Sequence, residues 1–219
     1  MKDVMQLGSI LERARGLATA TLSDALDACG VRGVVSGLAR RTGSGRVAGF
    51  AQTVLQQVAP FGAFSFEDFA VGPAFDATSQ DTVLVVDMGS ADVSTFGGLA
   101  ALTLALHRAA GVVVDGGCRD IEEIARIGLT VASRTVTPRS GKARLRIVSR
   151  GEAITCGGVC VRQDDLVVID DTGIVVVPQD KIHAVLTAAE ELDRRDVDFA
   201  ARLRTEGSFA RAAVSLKHA

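Results

Sequence analysis

The sequence predicts a mixed α/β fold, a layered sheet core with flanking helices, on three observations. Short β-branched runs recur at Thr82–Asp87, Val112–Val114, Asp165–Asp170 and Gly173–Pro178, and Val112–Val114 is too apolar for a sheet edge. Helical periodicity marks both ends of the chain, over residues 4–17 and from Asp180 to about Thr205. Between them, Phe96 to Asp120 reads as glycine turn, helix, strand and second glycine turn. Strands and helices are comparable in number, which gives the mixed class. At 219 residues, 47% hydrophobic, the chain is expected to form one domain over 1–219. Its N-terminal helices would span about 4–30 and its C-terminal helix about 180–205.

Taken in order, the first helix ends near Gly16, and Thr19 to Gly30 reads as a second, capped one. Ser23 is placed as its N-cap, Asp24 at the positive end and Gly30 at the stop. Residues 31–49, rich in glycine, serine and arginine, predict turns, and a strand covered on both faces follows near Val47 to Gln57. Pro60 to Pro73 gathers Phe61, Phe64, Phe66 and Phe69 around only Glu67 and Asp68. A hydrophobic flap or short helix packed on the core is expected there, with a lid or subunit contact as the alternative. Leu99 to Ala110 predicts a helix hidden on most sides and stopped by Gly111; Gly116 and Gly117 then turn the chain after a buried strand. Ile121–Ile127 is a short helix closed by Gly128, residues 134–142 an irregular basic loop, and 145–161 one or two strands with a turn or bulge at Gly157-Gly158. The likeness of Thr82–Asp87 to Asp165–Asp170 hints at pseudo-symmetry, but two strands do not establish a duplication.

Composition excludes several function classes. Lysine and arginine total 24 against 26 aspartate and glutamate, with no basic stripe, so nucleic acid is not an expected partner. Tryptophan and tyrosine are absent, which removes the usual stacking platforms apart from phenylalanine. Cys29, Cys118, Cys156 and Cys160 lie in apolar surroundings without a secretory core at the N-terminus, which predicts a reducing cytoplasm. Cys156 and Cys160 are four apart with nothing to complete a zinc set. No apolar run approaches the roughly 20 residues of a membrane span, so no membrane contact is expected.

Chemistry concentrates at the end of the central unit. Arg119 offers a planar fork suited to a carboxylate, and Asp120 beside it an oxygen donor for a hard divalent cation. A purely structural reading stands beside this one: Asp120 occupies the N-cap position of the next helix, and Arg119 can pair with any nearby acid. Phe96-Gly97-Gly98-Leu99 opens the preceding helix, where free N–H groups and the helix dipole favour an anion such as carboxylate or enolate. His107 is placed as a satisfied core residue inside the apolar helix, and His183 and His218 at the surface. Cys118 lacks a base that would make it a nucleophile. Gly43 to Gly49 lacks the helix and the lysine–hydroxyl pair of a phosphate loop.

Phe96–Leu99, Val112–Asp120 and Thr137-Pro138 resemble the RraA-like family, which includes 4-hydroxy-4-methyl-2-oxoglutarate/4-carboxy-4-hydroxy-2-oxoadipate aldolases. Thr21–Leu26 and the segment Asp165 to Pro178 fit it too, so the resemblance covers roughly residues 19–190. It implies a swivelling β/β/α domain assembled as a trimer or hexamer, with sites at subunit boundaries. It also implies a metal-dependent lyase that cleaves a 2-oxo acid through a pyruvate enolate, with oxaloacetate decarboxylation sharing that enolate. Arg119 would bind the substrate carboxylate, Asp120 would hold Mg²⁺ or Mn²⁺ through water, and Gly97, Gly98, Leu99 and Ala100 would contact substrate through their backbone. One position departs: the aldolases carry an acid twenty-one residues before the arginine, where this chain has Gly98. Asp87 and Asp92 are the nearest upstream acids, and neither stands at the matching position. The departure predicts weaker metal ordering or a missing proton-handling group, and hence a poor aldolase or a changed substrate. The alternative that the resemblance carries is a non-catalytic regulator that binds a ribonuclease. A nucleoside cofactor has no glycine-rich strand-turn-helix to receive it.

Overall fold

The computed structural model describes residues 2–216, with side chains described from 7 to 214. Helices α1 (Lys2–Gly16) and α2 (Thr19–Ala28) lead into strands β1 (Val34–Val35), β2 (Ala39–Thr42) and β3 (Val47–Val58). Helix α3 (Gly72–Asp76) follows, then β4 (Thr82–Phe96), α4 (Gly98–Leu106), β5 (Gly111–Cys118), α5 (Ile121–Ile127) and β6 (Val131–Val136). Strands β7 (Leu145–Arg150), β8 (Ile154–Cys156), β9 (Val159–Val161), β10 (Leu166–Ile169) and β11 (Ile174–Val177) precede α6 (Ile182–Glu206) and α7 (Phe209–Leu216). A 3₁₀ turn at Gln179–Lys181 joins β11 to α6.

The main sheet runs β1-β11-β10-β3-β4-β5-β6-β2. Its centre, β3 to β6, is parallel, and antiparallel strands flank it on both sides. Val54 and Leu55 pair with β4 on one edge of β3 and with β7 on the other. Alternation then assigns the layers, because neighbouring side chains on a strand face opposite ways. Leu84, Val86, Val112 and Val114 pack with Phe75, Ala101, Leu104 and Ile124 of α3, α4 and α5. On the antiparallel half, Leu166, Val168, Val175 and Val177 pack against α1, α2 and α6. The opposite face, Val83, Val85, Val113, Val167 and Val176 among others, is covered by the β8–β9 hairpin. The result is a mixed α/β architecture with a large mixed sheet and flanking helices.

Several local expectations are corrected by packing. Helix α2 starts at Thr19, where Asp170 accepts from both its N–H and its hydroxyl, so Ser23 lies inside the helix rather than at its cap. Strand β4 continues nine residues beyond Asp87; bulges absorb Gly89 and Ser90, both at positive φ. Helix α4 ends at Leu106, not Gly111, and is not hidden: Leu99, Leu102 and Leu106 are 81%, 47% and 74% exposed. His107 is its C-cap, with a buried Nδ1 that lacks a partner among the described residues, so it is not a satisfied core histidine. Gly111 instead opens β5, and Gly116 and Gly117 are strand residues rather than a turn. A Cβ on Gly117 would lie 2.7 Å from the Val93 carbonyl oxygen, so close packing under the β4 bulge accounts for glycine there. The 60–71 segment is irregular and exposes Phe61 and Phe66, with Arg144 over the Phe61 ring and Arg146 over that of Phe64. Helix α6 begins at Ile182, and α7 is an added C-terminal helix. His183 is exposed, as expected, and His218 lies outside the described residues.

Candidate functional site

Two strand-to-helix junctions meet at the C-terminal edge of the parallel strands. β4 delivers Phe96 and Gly97 into α4, and β5 delivers Cys118 and Arg119 into α5. The register pairs Phe96 with Cys118, and the Arg119 N–H donates to the Phe96 carbonyl at 3.0 Å. Parallel neighbours place both turns on one side of the sheet, where open α/β sheets carry their ligands.

Asp120 occupies the N-cap position of α5 but does not cap it. Its backbone is left-handed, φ 56°, and its side chain makes no capping bond. It turns the other way: Asp120 Oδ2 accepts the Gly98 N–H at 3.1 Å and lies 3.4 Å from Arg119 Nε. Arg119 and Asp120 are 42% and 38% exposed, so both face the opening rather than the core. Asp120 is therefore not the cap of α5; its carboxylate holds the first N–H of α4 and pairs with Arg119.

The first turn of α4 faces the same opening. A helix leaves its first N–H groups without intrahelical acceptors. Gly98 spends its N–H on Asp120, and Ala101 bonds back to Gly97. Leu99 and Ala100 keep theirs at the positive helix end, beside a guanidinium, which favours an anionic oxygen. All four backbone positions predicted from sequence, Gly97, Gly98, Leu99 and Ala100, line one cavity of about 270 Å³ together with Arg119 and Asp120. Phe69, Val71 and Phe75 form its apolar wall; Ser94, Thr95, Thr103, Ser140 and Lys142 complete it. That volume is large enough for a small acid.

Three contributors were not found in the sequence. Glu123, three residues after Asp120, brings its carboxylate against Gly98: a Cβ built on Gly98 would overlap that carboxyl group. An acid therefore reaches position 98 from α5. The i, i+3 spacing of Asp120 and Glu123 was a readable signal, since it puts both on one side of a helical turn. Lys142 arrives on a loop stitched to β4 through Ser94, whose N–H donates to the Arg139 carbonyl while Gly141 N–H donates to the Ser94 carbonyl, at 2.8 and 2.9 Å. No spacing rule announces it. Thr95 is also unannounced, being one residue in a long strand.

Other groups are structural. Asp115 receives Arg134 Nε at 2.6 Å, Gly157 N–H at 2.7 Å and the Ser90 hydroxyl at 3.1 Å. Burial would raise its carboxyl, but these donors outweigh it and hold the group below the ordinary carboxylate range. Cys118 is fully buried, and burial pushes its thiol up, against the weaker pull of the Ser133 hydroxyl. It is therefore a core residue and not an activated nucleophile.

Asp120 and Glu123 present carboxylate oxygens on two sides of Gly98, a donor set suited to a hard cation that keeps several waters. Among the described residues, no cluster of three or more His, Cys, Asp and Glu side chains converges to form a complete protein cage. Any Mg²⁺ or Mn²⁺ held here would rely on water for its remaining positions.

Residues 19–176 match the RraA-like family model, described as Aldolase/RraA. The chain is 27% identical over 179 residues to Protein DlpA of Legionella pneumophila, covering 81% of this chain but only 29% of that protein. It is 32% identical over 183 residues to a Halalkalibacterium halodurans protein provisionally named a 4-hydroxy-4-methyl-2-oxoglutarate aldolase, covering 83% of this chain and 82% of the relative. Among solved structures it superposes on Streptomyces coelicolor RraAS2, described as an unusual member of the RNase ES inhibitor RraA protein family. That match has a TM-score of 0.76 at 26% identity and covers 86% of this chain and 94% of the other. The family model spans most of the chain, the fold agrees, and the junctions that carried the resemblance form one cavity: the chain belongs to the RraA-like family.

Proposed function

We propose that the protein is a divalent-metal-dependent lyase that cleaves a carbon–carbon bond of a 2-oxo diacid through a pyruvate enolate. The observation that carries this reading is the convergence of Arg119, Asp120 and the open N–H groups of α4 on one small cavity, with the Glu123 carboxylate against Gly98 at its edge. Arg119 and the Leu99 and Ala100 N–H groups grip the 2-oxo acid head. Lys142, an exposed residue of the cavity lining, meets a second carboxylate. Asp120 holds the cation through water, and the cation when bound supplies positive charge to the enolate oxygen.

In cleavage, the C3–C4 bond breaks and its electron pair remains on C3 as the pyruvate enolate. C4 becomes a carbonyl as its hydroxyl proton leaves. Asp120 is already engaged by Gly98 and Arg119, whereas Glu123 has no hydrogen bond or ion pair among the described residues. Glu123 is therefore the group placed to take that proton and return it to C3. The helix dipole and Arg119 stabilise the enolate electrostatically. With oxaloacetate the same enolate forms by loss of carbon dioxide.

The test is pyruvate release from 4-hydroxy-4-methyl-2-oxoglutarate and from oxaloacetate, with Mg²⁺ or Mn²⁺ and after chelation. Activity should require the metal and vanish in Arg119→Ala. Folded protein that releases no pyruvate with either metal refutes the reading, and would favour a non-catalytic role of the kind for which the S. coelicolor relative's family, the RNase ES inhibitor RraA family, is named. A second copy of the chain would cover the exposed Leu99, Leu102 and Leu106 and close the site, in a trimer or hexamer.

A further inference from the structure

The cavity wall carries four hydroxyl side chains, Ser94, Thr95, Thr103 and Ser140. Three are committed within the protein. Ser94 donates to the Phe96 carbonyl, Thr103 to the Leu99 carbonyl, and Ser140 accepts the Lys142 N–H, at 3.0, 3.0 and 3.2 Å. Thr95 is 4% exposed and its Oγ1 has no partner among the described residues. Of the buried side-chain polar atoms left unpaired there, those of Arg46, Gln56, Thr95 and His107, only that of Thr95 belongs to a residue of this cavity. A buried hydroxyl without a partner is costly, so its retention in a residue that lines this cavity points to a group, water or ligand, that pairs with it when the cavity is filled.

Once Arg119, the α4 N–H groups and Lys142 have taken the two carboxylates and the ketone end of a 4-hydroxy-2-oxo diacid, one polar group has only its proton accounted for, by Glu123, and no partner that fixes its oxygen. That group is the C4 hydroxyl, whose oxygen becomes the carbonyl of the departing fragment. We infer that Thr95 Oγ1 hydrogen-bonds the C4 oxygen and positions it for cleavage, making Thr95 the residue that distinguishes 4-hydroxy-2-oxo acids from oxaloacetate. This rests on the lyase reading of the same cavity. Thr95 is a substrate-binding residue in it and transfers no proton; a threonine hydroxyl both donates and accepts, so it follows the oxygen from alcohol to carbonyl.

Thr95→Val keeps the shape and deletes the hydroxyl; Thr95→Ser keeps the hydroxyl. The experiment measures kcat/KM of wild type and both variants on 4-hydroxy-4-methyl-2-oxoglutarate and on oxaloacetate, with melting temperature alongside. Thr95→Val should lose about tenfold or more on the hydroxy acid, and at least about fivefold more than it loses on oxaloacetate. Thr95→Ser should recover most of that difference. The valine variant should melt no lower than wild type without ligand, because the hydroxyl it loses is unpaired. Parallel losses on both substrates, or a lower melting temperature for valine with serine unchanged, overturn the assignment while leaving the lyase reading in place. A wild type that decarboxylates oxaloacetate but does not cleave the hydroxy acid overturns it as well. A wild type inactive on both substrates overturns the lyase reading and this assignment together.

Discussion

Moving the acid between α4 and α5 tests the site most directly. Gly98 has ordinary helical backbone, so only its surroundings decide what a side chain costs there. A Cβ at position 98 would fall inside contact distance of all three carboxyl atoms of Glu123, the farthest, Oε1, at only 2.7 Å. Gly98→Asp therefore forces Glu123 out and places a second carboxylate where one already stands. Two like charges about 4 Å apart repel by about 1 kcal/mol in water and about 4 kcal/mol near a protein surface. At this half-exposed edge the lower half of that range applies, roughly 1–2 kcal/mol. Glu123→Ala alone should cut kcat for pyruvate release by about 100-fold, the usual size of a lost acid–base group. Gly98→Asp alone should also be impaired, with a small fall in melting temperature. The double variant Gly98→Asp/Glu123→Ala regains one acid without the clash, and should return to within about tenfold of wild type. Coupled pyruvate detection and thermal melts report both quantities. If the double variant is no better than Glu123→Ala, or if Glu123→Ala is fully active, then Glu123 does not stand in for the acid missing at position 98.

Further expectations concern binding, stability and assembly. Arg119→Lys keeps the charge but loses the planar fork, and should raise KM for the 2-oxo acid about tenfold or more; steady-state kinetics decide it. Arg134→Met removes the partner of Asp115, whose side chain is 7% exposed against 27% for Arg134, and should cost about 2–3 kcal/mol at pH 7 in urea unfolding. Because the folded Asp115 carboxyl lies below its unfolded value, that stability is present above about pH 4 and is lost as pH falls through the folded value. The gap between wild type and variant should therefore narrow at pH 3. Leu102→Asp/Leu106→Asp should reduce a trimer or hexamer to smaller species in light scattering, with Leu99 left intact beside the cavity.

The parts of the fold legible in the sequence were those governed by local pattern. Val112–Val114, Leu166–Ile169 and Ile174–Val177 are β-branched runs, and they are buried strands. Gly128 and Gly207 close their helices at positive φ. Long-range packing decided the rest. Apolar spacing hid the exposure of α4, because a leucine run reads the same whether its covering layer is its own chain or another. The sequence pattern of β4 stops at Asp87, because Gly89 and Ser90 look like a turn but act as a bulge. The Arg119–Asp120 pair and the glycine junction were legible as two features, and the sheet register unites them. Glu123 was not, since its contact with Gly98 crosses between helices that only tertiary structure brings together.

The register of Phe96 with Cys118 has a consequence for divergence and redesign. In the proposed lyase, two adjacent backbone junctions would recognise the head group, whereas the walls left for the rest of the substrate come from the 60–71 segment and the loop carrying Ser140 and Lys142. The two can drift independently. On the proposed reading, exchanging those loops among related chains should retarget the pocket to other small acids while the proposed grip on the 2-oxo acid stays fixed.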